Sequence, residues 1–184
     1  MAFTTSISTN KWLSFAKLAF VLMLPIIFST CRDNGPGFNM TYQRDFEIPA
    51  GLGVFDTHVF ELNGIPTNKA AFLSTTGANE NEITAILPRE AELSLNFANV
   101  DFVFVGEVVV EIFTREDNVG IEIFYRDEIP LNTGRSITLF PSLPEIGRYL
   151  DGDEFNVRVE LRLRDISPQF LETRLDFQFF ARLE

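Results

Sequence analysis

Alternating apolar and polar side chains over residues 154–164 limit the fold of this chain more than any other feature. Every second position there is apolar, and the positions between are mostly charged. A strand with one buried face requires such a period-two pattern. Residues 174–183 repeat it. Both stretches therefore predict half-buried strands, whose inward side chains are Phe155, Val157, Val159, Leu161 and Leu163 in the first and Leu175, Phe177, Phe179, Ala181 and Leu183 in the second.

Turn signals divide much of the remaining chain into further short strands. Residues 107–113 are apolar on much of both faces, which predicts a central strand. The polar residues 116–118 before Gly120 predict a hairpin loop, and residues 130–134 predict another break. The other predicted strands are 42–48, 54–62, 90–97, 120–126 and 136–140.

Helical signals are few in this chain. Ser142 and Glu145 have the spacing of a capping box, and Pro144 suits a first helical turn. These residues predict one short helical turn that runs on to Leu150. Residues 67–73 predict a second short turn.

About eight short strands and one helical turn predict an all-β domain. The expected architecture is an antiparallel β-sandwich of immunoglobulin-like or jelly-roll type, and the sequence does not choose between these topologies. The chain contains 20 phenylalanines, which favours a thick core between two sheets. Inward side chains this large are expected to fill the interior rather than leave an open lumen.

An apolar run over residues 18–28 follows Lys11 and Lys17 near the start of the chain. A basic segment followed by a short apolar segment is typical of an export signal. As a helix this run would rise about 16 Å, roughly half of the hydrocarbon core that a membrane-spanning helix must cross. The sequence therefore predicts a signal peptide rather than a permanent span.

The residues around Cys31 resemble the lipobox of bacterial lipoproteins. Phe28, Ser29 and Thr30 precede this cysteine, which is the only one in the chain. Phe28 stands where the lipobox usually has a large aliphatic residue, and Thr30 stands where it usually has Gly, Ala or Ser. The resemblance implies that Cys31 becomes the first mature residue and carries fatty acyl chains such as palmitate. Two alternatives stay open: ordinary secretion with cleavage before Arg32, and a free or paired thiol in a mature protein.

Leader, size and strand pattern together make the chain similar to the small uncharacterised β-sandwich lipoproteins of Gram-negative bacteria. The resemblance implies a cell-envelope protein held by its lipid to a membrane, the outer membrane being the expected one, and it carries no functional residues. The side of the membrane stays open. The predicted organisation is a signal peptide over residues 1–30, a lipidated cysteine and tether over 31–40, and one domain over 41–184.

Net charge limits the class of partner. The chain has 26 acidic and 15 basic residues, for a formal net charge of −11. Nucleic acid is excluded as a partner because its binders need a basic surface. Acidity of this kind keeps an exported domain soluble, and a cation or a basic partner is the lesser alternative.

Candidate chemical sites in the sequence are weak. His58 is the only histidine, and its strand-like surroundings favour a structural role over a catalytic one. The acidic turn 151–154 could supply oxygen ligands for calcium but lacks the further ligands of an EF-hand loop, and residues 79–82 are similar. We therefore predict no catalytic, metal or cofactor site and expect cross-strand pairing among the outward charges, such as Arg158, Glu160, Arg162, Arg174 and Asp176.

The sequence thus predicts a non-enzymatic envelope lipoprotein, anchored through Cys31, that binds an unknown envelope protein or polymer. The lack of catalytic motifs supports this choice over an enzyme. Two alternatives stay open: an envelope hydrolase that works through carboxylates, and an adhesion module stabilised by calcium.

Overall fold

Eight strands and one helix make up the computed structural model, which describes residues 35–96 and 99–184. The predicted leader and Cys31 lie outside the described residues. The helix, α1, spans Lys69–Thr76, and 3-10 turns span Glu80–Glu82, Phe102–Phe104 and Gly147–Leu150. The strands are β1 Gly37–Ile48, β2 Thr57–Pro66, β3 Ile83–Leu95, β4 Val105–Phe113, β5 Ile121–Arg126, β6 Ser136–Pro141, β7 Glu154–Leu163 and β8 Leu171–Leu183.

The strand order is that of a jelly roll. One half of the sheet runs β1-β8-β3-β6 and the other runs β5-β4-β7-β2, with every neighbouring pair antiparallel. A short ladder between β5 and β6, which pairs Tyr125 with Phe140, joins the two halves along one side. The predicted antiparallel sandwich is confirmed, and the strand order selects the jelly-roll alternative. The predicted central position of β4 is also confirmed, because it lies between β5 and β7.

Aromatic rings from both halves fill the space between the sheets. The ring of Phe179 on β8 stacks on Phe124 of β5, with centroids 6.3 Å apart. The ring of Phe155 on β7 meets Tyr42 of β1 edge-on at 5.1 Å. All five predicted inward side chains of β7 are buried, as are four of those of β8, while Leu183 is partly buried. The interior is therefore filled by side chains, as their size predicted.

The side of the sandwich opposite the β5–β6 ladder has no ladder. There β1 and β2 face each other, and side chains span the gap. The ring of Phe46 lies 5.1 Å from that of Phe60. The Arg44 guanidinium donates a hydrogen bond to the carbonyl of Gly64 at 3.1 Å. Gly64 has φ 65° and sits at an irregularity in β2, where the register with β7 shifts.

Two strands begin five or more residues earlier than the sequence indicated, while β4 and β8 begin two and three residues earlier. β1 starts at Gly37 rather than at residue 42, because Phe38 and Met40 are buried in alternation with exposed neighbours. β3 starts at Ile83 rather than at residue 90, because two register shifts break its period-two pattern. One shift falls just after Pro88, a residue that argues against a strand when the sequence is read locally.

The helical predictions are only partly right. The turn before Leu150 exists, but it is a 3-10 turn that begins at Gly147 and has no side-chain cap. The capping box predicted for Ser142 and Glu145 is wrong. The Ser142 hydroxyl hydrogen bonds to the Glu122 carboxylate at 2.5 Å, and Glu145 accepts from the amide of Gly147 at 2.7 Å.

The second predicted turn, at residues 67–73, is the helix α1, which runs on to Thr76 and ends at Gly77 with φ 72°. In the described part of the chain, no helix has the length and apolar character needed to cross a bilayer.

Candidate functional site

The jelly-roll order gathers the loops at two opposite ends of the sandwich. Four loops meet at one end, which we call the loop end. The other end, which we call the charged end, carries α1 and the remaining connections. The loop end comprises residues 49–56, 96, 99–104, 127–135 and 164–170, and the charged end comprises 67–82, 114–120 and 142–153.

Backbone hydrogen bonds connect all four segments of the loop end. The amide of Gly51 donates to the carbonyl of Ser167 at 3.0 Å, and the Arg164 amide donates to Phe104 at 2.9 Å. The amide of Phe102 donates to Gly134 at 3.0 Å. The four loops therefore form one connected surface rather than four independent tips.

Every segment of the loop end exposes a large apolar side chain. Phe55 is 98 % exposed and Leu131 is 73 % exposed. A single exposed apolar residue is ordinary, but here five come from loops that are bonded to one another. The five are Phe55, Val103, Leu131, Ile166 and Phe170.

At the loop end, two arginines are engaged in hydrogen bonds within the domain, whereas the carboxylates are exposed to solvent. The Arg164 guanidinium donates to the carbonyls of Val105 and Ile129, and Arg135 donates to Leu95. These cations are thus used to hold the loops together. The carboxylates of the loop end lie on exposed residues of the same loops, so the exposed apolar side chains have acidic neighbours. These residues are Asp56, Asp101, Asp127, Glu128 and Asp165.

His58 serves the loop end as a support. It is half-buried on β2, and its Nε2 lies 2.7 Å from the carbonyl of Gly53. This contact ties the loop at residues 49–56 to the strand that follows it. The geometry is that of the structural role expected from the sequence.

The charged end contains a polar cleft with a volume of about 440 Å³. Arg115 and Glu154 face each other there at 3.7 Å, and Arg148 lies 3.7 Å from Asp117. Asn156 is only 4 % exposed. The cleft is lined by Thr114, Arg115, Glu116, Arg148, Asp151, Gly152, Asp153, Glu154 and Asn156.

A second cleft of about 400 Å³ lies on the other side of the acidic turn. Residues 151–153 line both clefts and so form the wall between them. Lys69 crosses the second cleft, with its Nζ 3.0 Å from Glu80 and 3.7 Å from Asp151.

Hydrogen bonds from Thr67 fix the acidic turn at residues 151–154. The backbone amide of Thr67 donates to the carbonyl of Asp153 at 2.9 Å, and its hydroxyl donates to Gly152 at 3.1 Å. The Tyr42 hydroxyl in turn donates to the carbonyl of Thr67 at 2.7 Å. Burial raises the pKa of Tyr42 well above its usual value, so this hydroxyl remains a donor.

Neither acidic segment named in the sequence gathers a ligand set for a metal. Within residues 35–96 and 99–184, no three His, Cys, Asp or Glu side chains come together in such a way. The second segment is instead a capping box, in which the Glu82 carboxylate accepts from the amide of Asn79 at 3.0 Å and from its side chain at 2.8 Å. These hydrogen bonds lower the pKa of Glu82.

Outward arginines of β7 and β8 pair across the sheet, as the alternation suggested, whereas Glu160 lies opposite Val59 and Val109. Arg174 bonds Asp45 at 2.8 Å, Arg162 bonds Glu107 at 2.9 Å, and Arg158 bonds both Glu111 and Glu61, at 3.0 and 3.4 Å. Pairs like these lie on a solvated face and contribute modestly to stability.

Asp176 does not follow this pattern, because it lies directly opposite Glu92 of β3. Partial burial raises its pKa, and the nearby carboxylates of Glu92 and Asp45 raise it further, while Arg174 opposes the shift.

Two features of the site were missed in the sequence. The loop end was missed because Leu131 stands singly in a turn-rich segment, and because Phe55 was assigned to the predicted strand 54–62, which begins only at Thr57. The cleft was missed because its lining comes from three separate segments. The signal that was available is the presence of large apolar residues in loops otherwise rich in Gly, Pro and Asp.

Comparison with known proteins adds no family. No protein-family model matches the chain, and no curated protein matches it. A chain in a solved structure of Desmodium yellow mottle tymovirus is similar to it at 9 % identity, over 80 % of this chain and 88 % of that chain, with a TM-score of 0.26. A similarity this weak does not bear on function, and the jelly-roll assignment depends on the strand order alone.

Proposed function

We propose that this chain is an exported lipoprotein of the cell envelope, held to a membrane by acyl chains on Cys31, whose domain binds an envelope partner without catalysis. The observation that carries the binding role is the loop end, where four bonded loops expose five large apolar side chains. Exposed apolar surface of this kind marks interaction sites in soluble domains.

The chain enters the domain at the end opposite these loops. The carbonyl of Pro36 accepts from the amide of Leu183, and the amide of Glu184 donates to the carbonyl of Glu82 at the charged end. Cys31 is four residues before Gly35, and such a segment extends at most about 14 Å. Strands such as β1, with 12 residues, span about 40 Å. A lipid on Cys31 would thus hold the charged end near the membrane and leave the loop end available to a partner.

The surface chemistry of the loop end favours a protein partner with an apolar patch bordered by basic side chains. Apolar tips such as Phe55 supply contact area, while the surrounding carboxylates favour a partner of opposite charge. Anionic lipid is disfavoured as a partner because these carboxylates would repel it. The arginines at this end are also already engaged, since they donate to backbone carbonyls of the loops.

The anchor is tested by intact mass and membrane fractionation of the native protein beside a Cys31→Ala variant. A mature mass that begins at Cys31 and includes acyl chains, together with release of the variant into the soluble fraction, would support the proposal. An unmodified chain beginning at Arg32 would contradict it. In that case the domain is secreted free, and the binding role needs no membrane.

The binding role is tested by photocrosslinking in intact envelopes. A crosslinking side chain is placed at Phe55 or Leu131 in the loop end and, as a matched control, at Val119 or Leu143 at the charged end, all four being strongly exposed. We expect a discrete adduct only from the loop-end positions. Equal adducts at both ends, or none at the loop end, would contradict a partner at this surface.

A hydrolase is the second candidate, because several carboxylates line one concave cleft. Glu116, Asp153 and Glu154 all border the cleft at the charged end. Paired carboxylates are the catalytic groups of most glycosidases. Release of reducing ends from an envelope polysaccharide, abolished by Glu154→Gln, would establish this activity and overturn the non-enzymatic proposal.

A further inference from the structure

We infer that the 440 Å³ cleft at the charged end is a binding site for a hydroxyl-rich, uncharged oligosaccharide. This site is separate from the loop end and does not depend on it. The inference depends on three properties of the cleft: its mixed hydrogen-bonding groups, a fixed amide in its lining, and its continuation on the other side of the acidic turn.

The lining contains both hydrogen-bond donors and acceptors. Arg115 and Arg148 offer guanidinium donors, while Glu116, Asp153 and Glu154 offer carboxylate acceptors. A small anion would meet these carboxylates, and a small cation would meet the two guanidinium groups. Each sugar hydroxyl is both donor and acceptor, so a hydroxyl-rich neutral ligand can use both kinds of group.

Asn156 gives the cleft one group whose orientation is fixed. Its Oδ1 accepts from the backbone amide of Gly64 at 2.9 Å. Because that amide is a donor, the oxygen of the Asn156 side chain must be the atom that faces it, and the amide is not free to flip. The side chain is only 4 % exposed, yet it lines the cleft. It therefore presents an Nδ2 donor in a position that is set before any ligand arrives.

Two ion pairs near Asn156 are long, while the Arg148 guanidinium also donates a hydrogen bond to the Tyr149 hydroxyl at 2.5 Å. The Arg115–Glu154 and Arg148–Asp117 pairs both measure 3.7 Å, and their arginine side chains are 83 % and 65 % exposed. Ion pairs that long and that exposed are weak. A ligand hydroxyl can therefore take the place of the carboxylate partner of either arginine, while Arg148 keeps its hydrogen bond to Tyr149.

The arrangement of two clefts favours a chain of sugars over a single ring. Residues 151–153 line both the main cleft and the second cleft of about 400 Å³. Thr67 fixes this turn through its hydrogen bonds to Gly152 and Asp153, so the wall between the clefts is rigid. An oligosaccharide that crosses the wall can use Asp151 in the wall itself and Lys69 beyond it.

The test is calorimetric titration of the native full-chain protein, in a detergent without a sugar headgroup, with soluble cello-, xylo-, malto- and chito-oligosaccharides. At least one of them should bind. The cleft variant Arg148→Ala/Asp153→Asn should weaken that binding by about tenfold or more, since it removes hydrogen bonds to charged groups. The control Arg162→Ala/Asp127→Asn removes the same two kinds of group from a groove lined by other residues, and it should bind within about twofold of the native protein.

The outcomes separate this inference from the proposed function. Lack of binding by every oligosaccharide, or equal binding by the cleft variant, would overturn the inference and leave the loop-end proposal standing. Binding followed by cleavage would support the cleft as a glycan site and overturn the non-enzymatic proposal. Since Arg148 and Asp153 are exposed, their replacement is expected to leave the fold intact, which a thermal melt of each variant checks.

Discussion

Tyr42 connects the aromatic core to the charged end through one side chain. Its ring stacks on Phe177 at 5.3 Å, and its hydroxyl donates to the carbonyl of Thr67, the residue that holds the acidic turn. A single residue therefore contacts both the core and the turn that borders the candidate glycan site. Removal of its hydroxyl should affect both the stability of the core and the position of that turn.

The first prediction concerns that hydroxyl. Tyr42→Phe leaves the ring in place but removes the buried donor to Thr67, so the free energy of unfolding should fall by about 1–3 kcal/mol. Urea unfolding measures the change. Tyr125→Phe, at a half-exposed position, is the control and should have little effect. Equal losses in the two variants would show that the hydrogen bond to Thr67 is not the cause.

The second prediction concerns two carboxylates whose pKa shifts have opposite signs. The pKa of Asp176 is raised by burial and by Glu92, so stability is lost as pH rises through the range above its usual value of 3.8. Asp176→Asn should therefore raise the Tm at pH 7 by roughly 1–3 °C, and this gain should vanish near pH 3.

Asp45 is the matched case. The hydrogen bond from Arg174 lowers the pKa of Asp45. The contribution of Asp45 to stability is therefore present at neutral pH and is lost as pH falls through this lowered pKa. Asp45→Asn should thus lower the Tm at pH 7, opposite to Asp176→Asn. Thermal melts of both variants at pH 7 and near pH 3 test this prediction. Changes in Tm of the same sign at pH 7 would contradict the opposite pKa shifts of Asp45 and Asp176.

At the scale of elements, the strands β7 and β8 carry most of the shared core. Phe179 on β8 is fully buried and touches rings from β1, β5 and β7. Phe179→Ala should cost about 3–5 kcal/mol of unfolding free energy, through lost burial and the cavity left behind. Phe140→Ala, at a position 47 % exposed, should cost far less in the same urea experiment. Similar costs would mean that the core is not centred on β8.

The start of β1 depends on a glycine. A Cβ at Gly37 would collide with the carbonyl of Ala181 and with the ring of Phe180 on β8. Gly37→Ala should therefore destabilise the domain by about 1–3 kcal/mol. Gly53→Ala is the control, because nothing lies within 4 Å of the added atom. A neutral Gly37→Ala in a thermal melt would show that β1 does not pack on β8 at this point.

The same elements show how far the sequence predicts this fold. β7 and β8 follow their alternation closely, so their strands and inward faces were predicted from local pattern. The first half of β3 was not, because its bulges shift the period and Pro88 interrupts it. The Ser142 and Glu145 spacing misled for a related reason: each side chain found a partner on a distant strand, Glu122 for the first and the amide of Ile86 for the second.

At the scale of the whole molecule, the two sides of the sandwich differ. The β5–β6 ladder joins the sheets on one side, whereas β1 and β2 on the other each pair with a single strand. Amides of β2 should therefore exchange with deuterium before those of β7, which has neighbours on both edges. Hydrogen exchange followed by mass spectrometry measures this order. Equal protection of β2 and β7 from exchange would contradict this order. It would mean that β1 and β2 are held together by more than the Arg44 hydrogen bond and the Phe46–Phe60 contact.

Local pattern alone predicts the all-β class, most of the strands and the residues that face inward, because the period-two pattern records which side of each strand is buried. Composition alone gives the acidity of the chain. The jelly-roll order is set by tertiary contacts, because β1 pairs with β8 and β2 with β7 across most of the chain length, and no local pattern encodes such partners. The loop end and the cleft follow from that order, since the pairing of distant strands is what brings their loops to one end.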